Sequence, residues 1–318
     1  MKKALAIAFI TLICSMFLQT AGSHATEPGS IVFPPPEVYG VKEEKIQFLV
    51  NGSKVVDTLA TPVGKGPAPV ILLLHGHTGN RDEANIPKYG EGIFKHAAKL
   101  WAQSGYASLR IDFRGSGESE TAWAETTFSR QTEDAVQAVS YLRSSPSVDG
   151  KRIAVAGWSQ GGMIAAALAA RTKGLRGVGL WNAVINPSLT FEGWYSNKNV
   201  KLGLPNADGP QVADDKRVGN TGLNGAFFKE LYTFHPLAEI AQYSGPLFVA
   251  VGTKDFSVGP QPETGKLFLK AHSGSEELMV RDMDHSFNIG KGSALVDEMI
   301  NATLTYFRQY LDLDDILL

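Results

Sequence analysis

The chain has 318 residues, 43% of them hydrophobic and 19% charged, with a formal net charge of -2. This is the composition of an ordinary globular protein, with enough apolar residues for a sizeable core in one large domain or two small ones. Near-balanced charge without a long run of one sign leaves no electrostatic footprint for nucleic acid or an anionic membrane, so the expected partner is a small-molecule or glycan-borne substrate.

The N-terminus reads as a secretory signal peptide over residues 1–25. Lys2 and Lys3 precede an apolar segment from Ala4 to Leu18, and Ser23-His24-Ala25 supplies a small-x-small ending. The segment is shorter than the ~20 residues a spanning helix needs, and no second candidate follows. The expectation is cleavage near Ala25, a secreted or periplasmic product and no stable membrane insertion afterwards; an uncleaved anchor is the competing reading. Cys14 is the only cysteine and leaves with this segment, so the expected mature chain, residues 26–318, has no disulfide, thiolate nucleophile or cysteine metal site.

Residues 26–40, with Pro34-Pro35-Pro36, look like an extended leader. "KIQFLV" and "KVVDTLATPV" then flank Asn51-Gly52, the dipeptide of type I′ turns, and predict a hairpin. Six short apolar runs follow: "PVILLLHG" (69–76), "YASLRIDF" (106–113), "RIAVAGW" (152–158), "LRGVGLW" (175–181), "PLFVAVG" (246–252) and "EELMVRD" (276–282). They are too continuous for burial on one face and suggest strands of a parallel sheet covered on both sides. Helical stretches lie between them, at 84–105, 129–145, 161–171 and 293–311. Alternating strand and helix predicts an α/β fold, a doubly wound, mostly parallel sheet. Residues 182–234 break the alternation, with Phe191, Trp194, Tyr195, Phe227, Phe228 and Tyr232 among scattered Gly, Asn, Asp and Pro. So long a structureless loop is implausible in a compact domain, and the interval reads as an inserted cap over one end of the sheet.

Open α/β sheets bind ligands at the carboxyl ends of their strands, so the residues after each strand carry the interest. After "RIAVAG" comes Trp158-Ser159-Gln160-Gly161-Gly162 and a small-residue helix. Gly157 and Gly161 leave room for a sharp strand-to-helix turn that would expose Ser159 near a helix N-terminus; a tight structural turn is the alternative. A serine needs a base to take its proton, and the base needs a carboxylate to fix its tautomer. Asp255 follows "PLFVAVG" and His285 follows "EELMVRD", giving the order Ser159, Asp255, His285, with Asp112 as the rival carboxylate. His96 and His272 read as surface residues of helices, and His235 precedes Pro236 at the edge of the cap.

After "PVILLLHG" comes His77-Thr78-Gly79-Asn80. The main-chain N–H groups of Gln160 and His77 are the candidate oxyanion donors, His77 through its backbone and not its ring. His75, His77 and Asp82 could instead suggest zinc ligands, although no further histidine follows nearby. The loop Asp112–Ser119 lacks both the P-loop lysine and the dinucleotide fingerprint, and reads as a structural loop with Arg114 and Asp112 bracing the site. No metal and no cofactor is expected.

With these residues placed, the chain resembles the α/β-hydrolase superfamily from about Val50 to Leu311, on "HGHTGN", "DFRGSGES", "GWSQGG", "GTKDFSV" and "DMDHSF" in that order. Within it the chain is similar to the serine esterases grouped with dienelactone hydrolases, and most closely to bacterial cinnamoyl and feruloyl esterases. Those share an HG-x-T-x-N loop, a G-x-SQGG elbow and a cap inserted after the strand that follows the elbow. The resemblance implies an α/β-hydrolase fold, Ser159 as nucleophile, His285 as base, Asp255 as acid and Gln160 and His77 as oxyanion donors. The implied activity is cleavage of carboxylic esters, of aryl (cinnamoyl-type) or short acyl groups; the aromatic cap residues suggest an aryl or medium apolar acyl group but could equally form a small core of the cap. His77 departs from the phenylalanine usual in those esterases. A peptidase or amidase of the prolyl-oligopeptidase type is the runner-up, although such enzymes usually carry a propeller for which 318 residues leave no room. Thioester cleavage on the same triad, or a non-catalytic binding module, are the remaining readings.

Overall fold

The computed structural model describes residues 37–196, 200–201, 210–215 and 219–313. The signal-peptide reading, Cys14, the cleavage position near Ala25 and most of the leader lie outside the described residues.

Strand β1 (Val41–Val50) and β2 (Ser53–Pro62) pair antiparallel, Val50 opposite Ser53 and Val41 opposite Pro62. Asn51 and Gly52 join them at φ 50° and 83°. Both values are left-handed, as a type I′ turn demands, and asparagine and glycine are the residues that accept them. The chain continues through β3 (Ala68–Leu74), α1 (Ile93–Gln103), β4 (Ala107–Asp112), α2 (Phe128–Ser144), β5 (Val148–Trp158), α3 (Gln160–Arg171) and β6 (Gly177–Trp181). After α4 (Pro187–Tyr195), α5 (Gly225–Glu230) and α6 (Pro236–Ile240) come β7 (Leu247–Gly252), α7 (Glu263–Ala271), β8 (Glu276–Arg281) and α8 (Ala294–Leu311).

The strands form one 8-stranded sheet in the order β1-β2-β4-β3-β5-β6-β7-β8. Only β2 runs against its neighbours; every pairing from β4 to β8 is parallel. The side chains of β3 and β5 alternate between two cores. Val70, Leu72, Leu74, Ile153 and Val155 pack with α2, α3 and Phe268 of α7, whereas Ile71, Leu73, Ala154 and Ala156 pack with α1 and α8. Burial on both faces explains the continuous apolar runs, each large side chain contributing about 1.5–3 kcal/mol. From β3 the chain winds outward to β4, then crosses back to β5 on the other side of β3. That reversal opens a crevice beyond the carboxyl ends of β3 and β5, where this architecture binds ligands.

Two local expectations change. The stretch 84–105 is helical only from Ile93. Before it, Asn85–Ile86 and Glu91–Gly92 form a short antiparallel ribbon, because Pro87 and Gly90, the latter at φ 64°, build a turn instead. At its far end α1 stops at Gly105, φ 90°, where Gly105 N–H donates to Ala102 and Tyr106 N–H to Trp101, a Schellman ending. Helices α6 and α7 have no counterpart among the helical stretches expected from the sequence.

Within 182–234 the described parts are α4, α5 and an antiparallel ribbon of Pro210–Asp215 with Gly219–Asn224. Phe191, Tyr195, Phe227 and Phe228 are completely buried. Phe227 lies 5.2 Å from Phe191 and 5.0 Å from Phe128 of α2, ring centre to ring centre. These aromatics therefore form an interior that packs this interval against α2, and of the six aromatics named from the sequence only Trp194 lines the cleft described next. Among the described residues no helix is long and apolar enough to cross a membrane.

Candidate active site

The turn between β5 and α3 is sharp. Ser159 has φ 56° and ψ -118°, a conformation that costs a non-glycine residue about 1–3 kcal/mol and persists only when the surroundings hold it. Here Ser159 N–H donates to Trp181 at 2.9 Å, and its carbonyl accepts from Gly162 and Val184. The glycines are obligatory: a Cβ on Gly161 would lie 1.9 Å from the Leu74 carbonyl oxygen, and one on Gly157 2.1 Å from that of Gly161.

His285 Nε2 lies 2.9 Å from Ser159 Oγ, and His285 Nδ1 lies 2.8 Å from Asp255 Oδ2. The other oxygen of Asp255 accepts from Ser257 N–H at 2.8 Å, and the residue is only 2% exposed. A carboxylate receiving Nδ1–H leaves Nε2 as an acceptor aimed at the serine hydroxyl. The structure thus brings Ser159, His285 and Asp255 together from the ends of β5, β8 and β7.

Asp112 is elsewhere. It accepts from Arg81 N–H at 2.6 Å, from the Arg81 guanidinium and from Glu118 N–H at 2.9 Å, which folds the 112–119 loop against the loop after β3. Arg114 reaches back to α2, its N–H donating to Asp134 at 2.9 Å and its Nη2 to Glu133 at 2.9 Å. The zinc alternative loses its geometry as well. His75 Nδ1 donates to the Gly76 carbonyl at 2.8 Å and its Nε2 accepts from Phe113 N–H, Asp82 faces Arg110, and His77 turns to other partners. Among the described residues no cluster of three His, Cys, Asp or Glu is arranged to hold a metal. His96 and His272 are not surface residues. His96, 4% exposed, sits between Glu91 at 2.8 Å and Asp297 at 2.9 Å; His272, 7% exposed, bonds Gly245 and Glu276.

His77 Nδ1 lies 2.8 Å from Gln160 Oε1, and its Nε2 meets the Tyr195 hydroxyl. Loss of solvent among aromatic rings pushes this imidazole down to about 4, and full burial does the same for His75. The main-chain N–H groups of His77 and Gln160 have no acceptor among the described residues. His77 and Ser159, the residue before Gln160, border a cleft of about 440 Å³ lined also by Gly76, Thr78, Glu83, Trp158, Trp194, Phe256 and His285. Glu83 accepts from Gly76 N–H at 2.6 Å, and burial pushes its carboxyl up to about 8. A second cleft of about 460 Å³, between α4, α6 and α7, holds none of these groups.

Two positioning residues were not singled out from the sequence. Trp158 Nε1 and Asn182 Nδ2 each donate to the His285 carbonyl at 3.0 Å, and Asn182 Oδ1 accepts from Gly252 N–H at 2.8 Å. The available signal was an asparagine directly after a buried strand, here at φ 42°.

A family model described as "Prolyl oligopeptidase family" matches residues 93–314, a span that contains Ser159, Asp255 and His285. The chain belongs to the prolyl oligopeptidase family. Among curated relatives, Esterase EstD of Thermotoga maritima is 27% identical over 267 residues, 79% of this chain and 62% of EstD. An uncharacterised 31.7 kDa protein of Escherichia coli is 30% identical over 105 residues, 33% of this chain and 34% of that protein. The chain thus spans between about a third and two thirds of these relatives' own length. The structure of Est1E from Butyrivibrio proteoclasticus with ferulic acid superposes with a TM-score of 0.67 at 18% identity, covering 82% of this chain and 98% of that one. The superposition establishes the α/β-hydrolase fold, a doubly wound, mostly parallel sheet.

Proposed function

We propose that this member of the prolyl oligopeptidase family is an exported serine hydrolase that cleaves carboxylic esters through an acyl-enzyme on Ser159. The observation that carries the reading is the hydrogen-bonded line Ser159 Oγ–His285 Nε2, His285 Nδ1–Asp255 Oδ2, at 2.9 and 2.8 Å, opening onto a cleft. In this reading His285 takes the Ser159 proton as Oγ attacks the ester carbonyl, and Asp255 holds the imidazole in the productive tautomer. The tetrahedral oxyanion is received by the main-chain N–H groups of His77 and Gln160. His285 returns the proton to the leaving alcohol, and a water repeats the sequence on the acyl-enzyme.

Ester rather than amide cleavage is supported by the relationship to EstD, which is named an esterase. Trp158, Trp194 and Phe256 around the cleft suit an aryl or medium apolar acyl group. Export is supported by the N-terminal pattern of charge, apolar segment and small-x-small ending. The family heading favours a second reading, amide cleavage on the same three residues.

The test is turnover of p-nitrophenyl acetate, butyrate and ferulate beside matched p-nitroanilides, with Ser159→Ala as control. Ester turnover lost in the control is the expected result. Anilide turnover exceeding ester turnover selects the second reading, and no turnover of either overturns both.

A further inference from the structure

The two residues proposed to supply the oxyanion donors are joined by their own side chains. His77 Nδ1–H donates to Gln160 Oε1 at 2.8 Å, and Gln160 Nε2 donates onward to Gln131 Oε1 of α2 at 2.6 Å. On the far side His77 Nε2 accepts from the Tyr195 hydroxyl, at the end of the cap helix α4. Every polar atom of the imidazole is used, and its low proton affinity keeps the ring in the one-donor, one-acceptor form the line requires.

The ring is also clamped. Trp123, Phe191, Trp194, Tyr195 and Phe227 surround it with centroids 5.0–5.9 Å away. Three of those rings belong to α4 and one to α5, so the cap holds the imidazole. His77 lines the cleft, and its ring sits in this cage. A rigid ring anchored on one side and hydrogen-bonded to Gln160 on the other leaves little freedom for the distance between the two residues.

We propose that the His77–Gln160 side-chain bond is a strut that sets the spacing of the two oxyanion donors, and that Tyr195 makes this spacing depend on a seated cap. The proposal rests on the reading of Ser159 as nucleophile given above. His77 and Gln160 side chains then act as positioning groups: they touch neither substrate nor oxyanion, but hold the amides that do. Such donors act over a narrow range, about 2.7–3.1 Å from the oxyanion, so a displacement of a few tenths of an ångström is felt in the rate. A phenylalanine at 77 would fill the same cage and lose both hydrogen bonds. Ground-state binding is largely indifferent to donor spacing, so the strut belongs to kcat rather than KM.

The experiment compares His77→Phe, Gln160→Met, their double variant and Tyr195→Phe with the parent protein. Steady-state ester hydrolysis, inhibition by benzeneboronic acid as a tetrahedral mimic and thermal unfolding are measured on each. The strut requires each of the first two variants to lower kcat by about 10- to 100-fold with KM changed less than about twofold. Boronate affinity falls in parallel, and the losses in the double variant are less than multiplicative, because the two single variants share the broken His77–Gln160 bond. Tyr195→Phe shifts kcat and boronate affinity in the same direction by a smaller factor. Since it removes a single hydroxyl, it decides the matter if the other variants fail to fold. Unchanged kcat and boronate affinity in His77→Phe, or multiplicative losses in the double variant, overturn the strut. A parent protein that labels with a fluorophosphonate while His77→Phe is unaffected overturns the strut alone; a parent that neither labels nor hydrolyses overturns the functional reading and the strut with it.

Discussion

Asn182 donates its side-chain N–H to the main-chain carbonyl of His285 at 3.0 Å while its own carbonyl receives Gly252 N–H at 2.8 Å. One carboxamide thereby ties the loop that carries His285 to the end of β7, three residues before Asp255. Asn182 is completely buried. Asn182→Ala leaves the Gly252 N–H without a partner and frees the histidine loop. The expected outcome is a stability loss of about 1–3 kcal/mol by denaturant titration, with kcat/KM falling about 10-fold or more.

Asp255 and Asp112 separate cleanly. Asp255→Asn cannot hold the imidazole in the tautomer that accepts the serine proton, and a loss of about 10³–10⁴-fold in kcat is expected. Asp112→Asn weakens the grip on Arg81 and the 112–119 loop, whereas His285 bonds Asp255. Its expected cost is in melting temperature, with kcat within about tenfold of the parent. Parallel kinetics and thermal unfolding of the two variants check both statements.

Gly161 stands where the elbow folds back on β3, and an added Cβ would meet the Leu74 carbonyl at 1.9 Å. Gly161→Ala therefore forces backbone to move and should cost more than about 3 kcal/mol or prevent folding. Gly290 has nothing within 4 Å of the corresponding position. Gly290→Ala is the control, expected within about 0.5 kcal/mol of the parent.

Glu83 gives a pH dependence with a defined sign. Its carboxyl is pushed from 4.5 to about 8 by burial beside the cleft. The folded protein thus holds a proton that the unfolded chain releases above pH 4.5, and the stability this contributes is lost as pH rises through about 8. Glu83→Gln keeps an acceptor for Gly76 N–H and removes the titration. Between pH 5 and 8 the variant should gain on the parent by about 1–3 kcal/mol, solvent in the cleft limiting the span, with no further change above that range. Urea titrations at four or five pH values read the difference directly.

The sheet and the three aligned residues were legible because their signals are local. Asn51-Gly52 dictates its own turn, runs such as "VILLL" can be buried only on two faces, and Gly157 and Gly161 announce the elbow around Ser159. The stretch 84–92 misled because helix-forming residues surround Pro87 and Gly90, and the turn those two impose outweighs propensity. His96 looked like a surface residue since nothing nearby in sequence reveals Asp297, 201 positions away, as its partner. The same holds for Asn182, whose value lies in the loops of β7 and β8, and for His77, whose ring is defined by Gln160 and Tyr195. Cap aromatics such as Phe191 and Phe227 read equally as substrate contacts or interior, and only packing against Phe128 distinguishes them.

In the proposed mechanism catalysis passes through a covalent intermediate on Ser159. Rapid-quench mass spectrometry of the protein mixed with p-nitrophenyl butyrate tests it most directly, by following the nitrophenol burst and mapping the acylated peptide. The expected result is a burst approaching one equivalent, a butyryl adduct on the peptide carrying Ser159, and neither in Ser159→Ala. Steady ester turnover with no adduct, or an adduct on another residue that persists in Ser159→Ala, would contradict it.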